Sequence, residues 1–191
     1  MVEQIKIVVL FSGEGTNLEN LIEHFHGKRF GDKETVIIPI TNRPNARGIL
    51  RAKRYGIETH IIDHKAYESR EAFDVELVRT IEVIAPSLVV MAGFMRILTP
   101  VFTERIEAIN LHPSLLPLFK GACAIEESFA SGMKVGGVTV HWVTSELDNG
   151  EIIDQACVKI EPDDTLESFA EKIHRTEHRL LPEVIKKLLK L

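Results

Sequence analysis

Ile5-Lys6-Ile7-Val8-Val9-Leu10-Phe11 is the stretch that most limits what this chain can become. It is almost unbroken apolar and β-branched sequence. A strand that is apolar on both sides must be covered on both sides, the mark of a central strand in a parallel sheet. It runs into Ser12-Gly13-Glu14-Gly15-Thr16-Asn17, and Leu18, Leu21, Ile22 and Phe25 follow at helical spacing. Strand, glycine loop and helix in that order aim backbone N–H groups and a helix start at an anion. The third glycine of the dinucleotide pattern is missing, because Leu18 stands where it would fall. The loop therefore reads as a cradle for a single phosphate. A plain tight turn is the alternative.

The next elements repeat the rhythm. Thr35 to Ile40 is a second strand, and Pro39 implies an irregular or edge position in it. No acidic residue closes it, which argues against a contact to an NAD ribose. Ala46 to Arg54 reads as a short helix ended by Gly56, and Thr59 to Ile62 as a third strand. Ser69 caps a helix that runs to about Ile84, and Ser87 to Met91 is a fourth strand. Such alternation predicts an α/β fold: a mostly parallel twisted sheet, helices on both faces, and a Rossmann-like N-terminal half. Ligands are then expected at the carboxyl ends of the strands. The apolar loop Ala92-Gly93-Phe94-Met95-Arg96-Ile97-Leu98 could wall a pocket for a flat aromatic ligand. A core-packing loop is the alternative. Thr99-Pro100 opens a short helix.

Ile109-Asn110-Leu111-His112-Pro113 carries the chemistry. Alternate residues of a strand share one face, so an amide donor and an imidazole stand side by side. Pro113 stops the strand. An amide and an imidazole in that position suit a reaction in which a carbonyl oxygen gains negative charge. After a loop over 118–123 and a helix from Ala124 to Ser131, the strand–helix rhythm is lost. Gly137 to Val143 and Ile152 to Ile160 read as antiparallel strands around the turn Thr144-Ser145-Glu146-Leu147-Asp148-Asn149-Gly150. Asp164-Thr165-Leu166-Glu167 has the spacing of a capping box. Pro182 should bend or break the helix that follows.

Composition removes other classes. The chain has 191 residues, room for one domain or two small lobes, and a net charge of −5. No broad basic surface argues for nucleic acid or an anionic membrane. No apolar run reaches membrane-spanning length, and the N-terminus has no signal-peptide pattern. The two cysteines, Cys123 and Cys157, lack metal-ligand spacing and read as free thiols of a cytoplasmic protein. His24, His26, His60 and His64 have no ligand partners at useful spacing and read as surface histidines, so no metal is expected.

Four segments in this order make a resemblance: Ser12-Gly13-x-Gly15-Thr16-Asn17, Ala92 to Leu98, Asn110-x-His112-Pro113-Ser114-Leu115-Leu116-Pro117, and Asp148-x-Gly150. The chain resembles the phosphoribosylglycinamide formyltransferase family, folate-dependent enzymes of purine synthesis, from Val8 to about Pro182. The resemblance implies a single formyltransferase domain, with a nucleotide-binding half over about 1–100 and a catalytic and folate-binding half over about 101–191. It implies 10-formyltetrahydrofolate as co-substrate and phosphoribosylglycinamide as acceptor. Gly15, Thr16 and Asn17 would hold the acceptor's phosphate. His174, Arg175, Thr176 and Glu177 would reach the same substrate, Glu177 near its amine. Arg70, Met95, Arg96, Ile97, Leu98, Asn110 and Thr144, Ser145, Glu146, Leu147, Asp148 would bind the folate. Asn110, His112 and Asp148 would carry the reaction, in a monomer or homodimer. Two positions depart from the family's pattern: Lys120 stands where proline is frequent, and Cys123 where histidine is common.

The chemistry implied is attack of an amine on a formyl carbon. Asn110 and a protonated His112 would donate to the oxyanion, and Asp148 would favour the imidazolium. Neither cysteine has a base beside it, so no covalent intermediate is expected. Two neighbours share such a core. Formyltetrahydrofolate hydrolase normally adds an N-terminal regulatory domain, and methionyl-tRNA formyltransferase a C-terminal domain. The short acidic chain disfavours both. A nucleotide-binding module without catalysis is a third reading, and it would have no use for Asn110, His112 and Asp148 together.

Overall fold

The computed structural model describes residues 3–191. They form two compact units, one reaching to Ala108 and including Leu189–Leu191, the other Ile109–Leu188.

The first unit contains β1 (Glu3–Phe11), α1 (Thr16–Phe25), β2 (Lys28–Phe30), β3 (Lys33–Thr41), α2 (Gly48–Arg54), β4 (His60–Ile61), α3 (Arg70–Ile84), β5 (Leu88–Met91) and α4 (Pro100–Thr103). β1 pairs in parallel with β3 on one side and β5 on the other. Ile7 through Phe11 are fully buried, as a doubly covered strand requires. The four parallel strands and their helices are the α/β core that the alternation predicts.

Two details differ from expectation. β2 is an additional strand, paired antiparallel to β3 over Lys28–Phe30. The third strand shrinks to His60–Ile61. β3 is interior rather than an edge, yet Pro39 is accommodated. β2 covers β3 only at Lys33–Thr35 and β4 only at Ile40–Thr41. The Ile37 N–H points to that uncovered side and meets Nδ1 of His26 at 3.2 Å. Pro39, two residues on, faces the same way, so its missing N–H falls in the gap between the two partners.

The second unit holds β6 (Ala108–His112) from Ile109 onward, α5 (Ala124–Ala130), β7 (Val135–Trp142), β8 (Ile152–Lys159) and nearly all of α6 (Leu166–Leu189). β6, β7 and β8 pair antiparallel in sequence order, as the lost rhythm predicts. α6 lies close on β7, because the Phe169 ring fills the place of a side chain at Gly136 (2.5 Å from a built Cβ). Its start is shifted by one residue from the expected box. Thr165 Oγ1 accepts from the Ser168 N–H at 3.2 Å, and Ser168 Oγ accepts from the Thr165 N–H at 3.0 Å. Asp164 instead accepts from Glu161 N, Ser168 Oγ and Lys172 Nζ. These contacts, the Lys172 bond first, hold its carboxyl down to about 2. The expected break at Pro182 does not occur: α6 runs 24 residues through it. Buried Leu180, Leu181, Val184 and Ile185 flank the proline, and their packing outweighs one lost backbone bond.

Candidate active site

β6 and the turn after β7 bring the three expected residues together within the second unit. Asn110 Nδ2 lies 3.4 Å from Asp148 Oδ1, and His112 Nδ1 lies 3.4 Å from Asp148 Oδ2. His112 is 4% exposed and the Asp148 side chain 7%. Asp148 sits at φ 48, a left-handed conformation that Asp tolerates better than most residues. Gly150 lets the turn fold back on β7, since a Cβ there would lie 1.7 Å from the Trp142 carbonyl oxygen.

A fourth residue completes the group, and the sequence reading missed it. His141 pairs with Asn110 across β6 and β7. It is 2% exposed. Its Nδ1–H donates to the Trp142 carbonyl at 2.8 Å, which leaves Nε2 as the acceptor of the neutral ring. Asn110 Nδ2 donates to that Nε2 at 3.1 Å. His141 thereby fixes which way the amide faces. The only signal was a polar residue in the otherwise apolar run Val138 to Val143, and its partner is set by cross-strand register.

The loop after β6 closes the group from another side. His112 Nε2–H donates to the Phe119 carbonyl at 2.8 Å, with Phe119 at φ 54. The Gly121 N–H donates to Asp148 Oδ2 at 2.9 Å, and Lys120 Nζ to Asn149 Oδ1 at 2.6 Å. Lys120, one of the two departures, thus ties the loop to the Asp148 turn. Cys123 is an exposed free thiol, as is Cys157. Burial pushes the Asp148 carboxyl up. The Gly121 N–H bond and the adjacent His112 imidazole outweigh it and hold the group below its ordinary 3.8. Asp148 is therefore a carboxylate throughout the neutral range.

α6 carries the other expected residues of this unit. His174 Nδ1 and Glu177 Oε2 are 3.0 Å apart, and Glu177 is 5% exposed. The Glu177 bond raises the His174 pKa, against the opposing effect of burial. Arg175 Nη2 donates to Glu171 Oε2 at 3.3 Å, and the Thr176 hydroxyl donates to its own helix at Lys172 O. Thr144 to Leu147 form an exposed loop, in which Thr144 Oγ1 donates to Glu146 O.

In the first unit, Gly15 caps α1 at φ 71 and Thr16 and Asn17 open the helix. Ser12 Oγ donates to Asn42 Oδ1 at 2.6 Å and accepts the Met95 N–H at 2.8 Å. The 92–98 loop is thus bonded to the end of β1. Phe94 stacks on Phe73, and Arg96 lies over the same Phe73 ring, 5.2 Å from its centroid. Thr99 anchors the loop's far end through its N–H and hydroxyl, both to Asp74 Oδ2 (2.6 and 2.7 Å). Burial outweighs these bonds and raises the Asp74 pKa. Met95 and Ile97 are 59% and 50% exposed, apolar surface presented by a braced loop; Leu98 is buried. Arg70 is exposed at the first turn of α3. His26 and His64 are not idle surface groups: His26 accepts the Ile37 N–H and His64 pairs with Asn42. Among the described residues no three His, Cys, Asp or Glu side chains group as metal ligands, and no helix is long and apolar enough to cross a membrane.

The first unit is thus a parallel α/β unit with a glycine loop after β1, and the second an antiparallel unit that gathers an amide, an imidazole and a carboxylate. The chain belongs to the formyl transferase family, whose profile matches residues 5–185. Among solved structures it is similar to phosphoribosylglycinamide formyltransferase from Campylobacter jejuni, 52% identical, with a TM-score of 0.94 over 99% of this chain and 100% of that one. The enzyme of the same name from Escherichia coli is 39% identical over 95% of this chain and 85% of its own. The trifunctional purine biosynthetic protein adenosine-3 of Gallus gallus is 41% identical over 95% of this chain, which spans 18% of that longer protein.

Proposed function

We propose that this protein transfers the formyl group of 10-formyltetrahydrofolate to the amine of phosphoribosylglycinamide, a step of purine biosynthesis. The observation that carries the reading is the convergence of Asn110 and His112 on the two oxygens of one buried Asp148, in a chain similar to enzymes of that name. A regulatory module would have no reason to bury such a group.

The acceptor's amine nitrogen bonds to the formyl carbon, and the carbonyl oxygen takes the charge. Asn110 donates to that oxyanion the N–H now 3.4 Å from Asp148, the longer of its two bonds. His112 supplies a second donor once Nε2 exchanges the Phe119 carbonyl for the substrate. Collapse breaks the bond from carbon to the folate nitrogen, and the proton shed by the attacking amine ends on that leaving nitrogen, relayed by His112. Asp148 keeps its negative charge and favours positive charge on the ring. Glu177 orients the amine, and Gly15, Thr16 and Asn17 hold the phosphate. Arg70, the exposed Met95 and Ile97, and Thr144 to Asp148 bind the folate. His174, Arg175 and Thr176 on the same helix contribute to holding the acceptor.

The test is formyl transfer by the purified protein from 10-formyltetrahydrofolate to glycinamide ribonucleotide, followed spectroscopically through the folate product. Formylated ribonucleotide is the expected product. Its absence under conditions where a relative is active would sink the proposal.

A further inference from the structure

Three successive carbonyls of the glycine loop are held from behind. Gly13 O accepts the Gly48 N–H at 3.0 Å, and Gly15 O accepts the Glu19 N–H at 2.9 Å. Between them, Glu14 O accepts from Arg51 Nε at 2.7 Å. The only cis peptide among the described residues is Leu116–Pro117, so these loop peptides are trans. In a trans peptide the C=O and the next N–H lie in one plane and point opposite ways. Engaging the three carbonyls therefore turns the N–H groups of Glu14, Gly15 and Thr16 away from those partners. Successive oriented N–H groups are what an anion-binding loop requires.

Two of the three clamps are backbone groups. The third, Arg51, is a side chain, and it is already ion-paired with Glu19; the two side chains are 26% and 21% exposed. Its charge is largely answered before any ligand arrives. α2, which carries Arg51, is pressed onto the loop: a Cβ on Gly15 would lie 2.5 Å from Gly48 Cα, and one on Gly48 would lie 2.3 Å from the Phe11 ring. Neither position leaves room for the loop to readjust by adding a side chain.

We propose that Arg51 is a positioning residue for phosphate recognition. It fixes the Glu14–Gly15 peptide so that the Gly15 N–H is presented to the acceptor's phosphate, and it acts through that peptide without touching the phosphate. This rests on the reading of the glycine loop as the phosphate cradle.

The test compares wild type with Arg51→Met and Arg51→Leu, neither of which has a donor to offer the Glu14 carbonyl. Each is assayed for kcat/KM with glycinamide ribonucleotide and with its dephosphorylated riboside, and for competitive inhibition by inorganic phosphate. The wild type should prefer the phosphorylated acceptor. In the variants that preference should fall about tenfold, chiefly through KM, and inhibition by phosphate should weaken in parallel. Either variant suffices if the other fails to fold by circular dichroism. A folded variant with the wild-type preference and the wild-type phosphate inhibition overturns the role of Arg51 and leaves the cradle standing. A wild type that treats the two acceptors alike overturns the cradle, and this inference with it.

Discussion

At the scale of single residues, the site is a balance of donors around one carboxylate. Asn110 spends one N–H on His141 at 3.1 Å and holds the other near Asp148 at 3.4 Å. His112 lies between Asp148 and the Phe119 carbonyl. Replacing Asn110 or His112 with alanine should cut turnover about a hundred- to a thousandfold, the usual cost of one oxyanion donor. Steady-state rates on variants shown to be folded will decide; near-normal turnover in either removes that residue from the mechanism. Asp148→Asn is a gentler probe, because Asn also accepts the left-handed backbone at φ 48. It should retain both ligands, turn over more slowly and shift the pH–rate profile. Asp148 stabilises the fold above its ordinary 3.8, and that contribution is lost only as pH falls through its lower native value. Protonation of Asp148 therefore cannot cause any loss of wild-type activity near neutrality. If the Asp148→Asn variant keeps the wild-type rate and profile, Asp148 is reduced to a turn residue. The trio was legible because its members stand in one strand and one turn signal. His141 was not, since its role exists only through the register that sets it opposite Asn110.

At the scale of elements, the long-range pattern was easier to read than the ends. The buried run of β1 predicted a doubly covered strand, and Ile7 to Phe11 are fully buried. β2 escaped notice because Lys28-Arg29-Phe30 is short and carries no alternating apolar residues. The capping box was displaced because two acidic or hydroxyl residues, Asp164 and Thr165, each had a suitable residue three positions on. Packing chose Thr165 with Ser168 and gave Asp164 to Lys172. The choice can be checked by thermal unfolding. Thr165→Ala should cost about 1 kcal/mol, as loss of an N-cap does. Glu167→Ala, at the position the sequence pattern favoured, should change stability far less. Equal losses in the two variants would favour Asp164 and Glu167 as the box after all. Pro182 shows the same limit from the other direction. Local propensity forbids it in a helix interior, and four buried neighbours in α6 override that preference.

At the scale of the whole molecule, the reading draws its residues from both units. The cradle and the braced 92–98 loop belong to the first; Asn110, His112, Asp148 and Glu177 belong to the second. What recognition of the acceptor can do for the reaction is choose the nucleophile. Water and an amine can both attack a formyl carbon, and the donors around Asp148 would stabilise either oxyanion equally. Selectivity must then come from groups that recognise the acceptor and have no counterpart for water. In the proposed function Gly15, Thr16 and Asn17 would offer that through the remote phosphate, and Glu177, buried and paired with His174 at 3.0 Å, would offer it at the amine. Binding energy gained far from the reacting carbon can be used to orient the nucleophile, so transfer gains a proximity advantage that hydrolysis lacks. We therefore expect release of the folate product to depend almost entirely on glycinamide ribonucleotide, with hydrolysis in its absence at least about a hundredfold slower. Glu177→Gln should narrow that gap by slowing transfer and leaving hydrolysis as it was. The measurement is the rate of folate product formation with and without acceptor, in wild type and variant. Equal rates with and without acceptor would mean that this fold hydrolyses formyl-folate, and the transferase reading would have to give way to the hydrolase one.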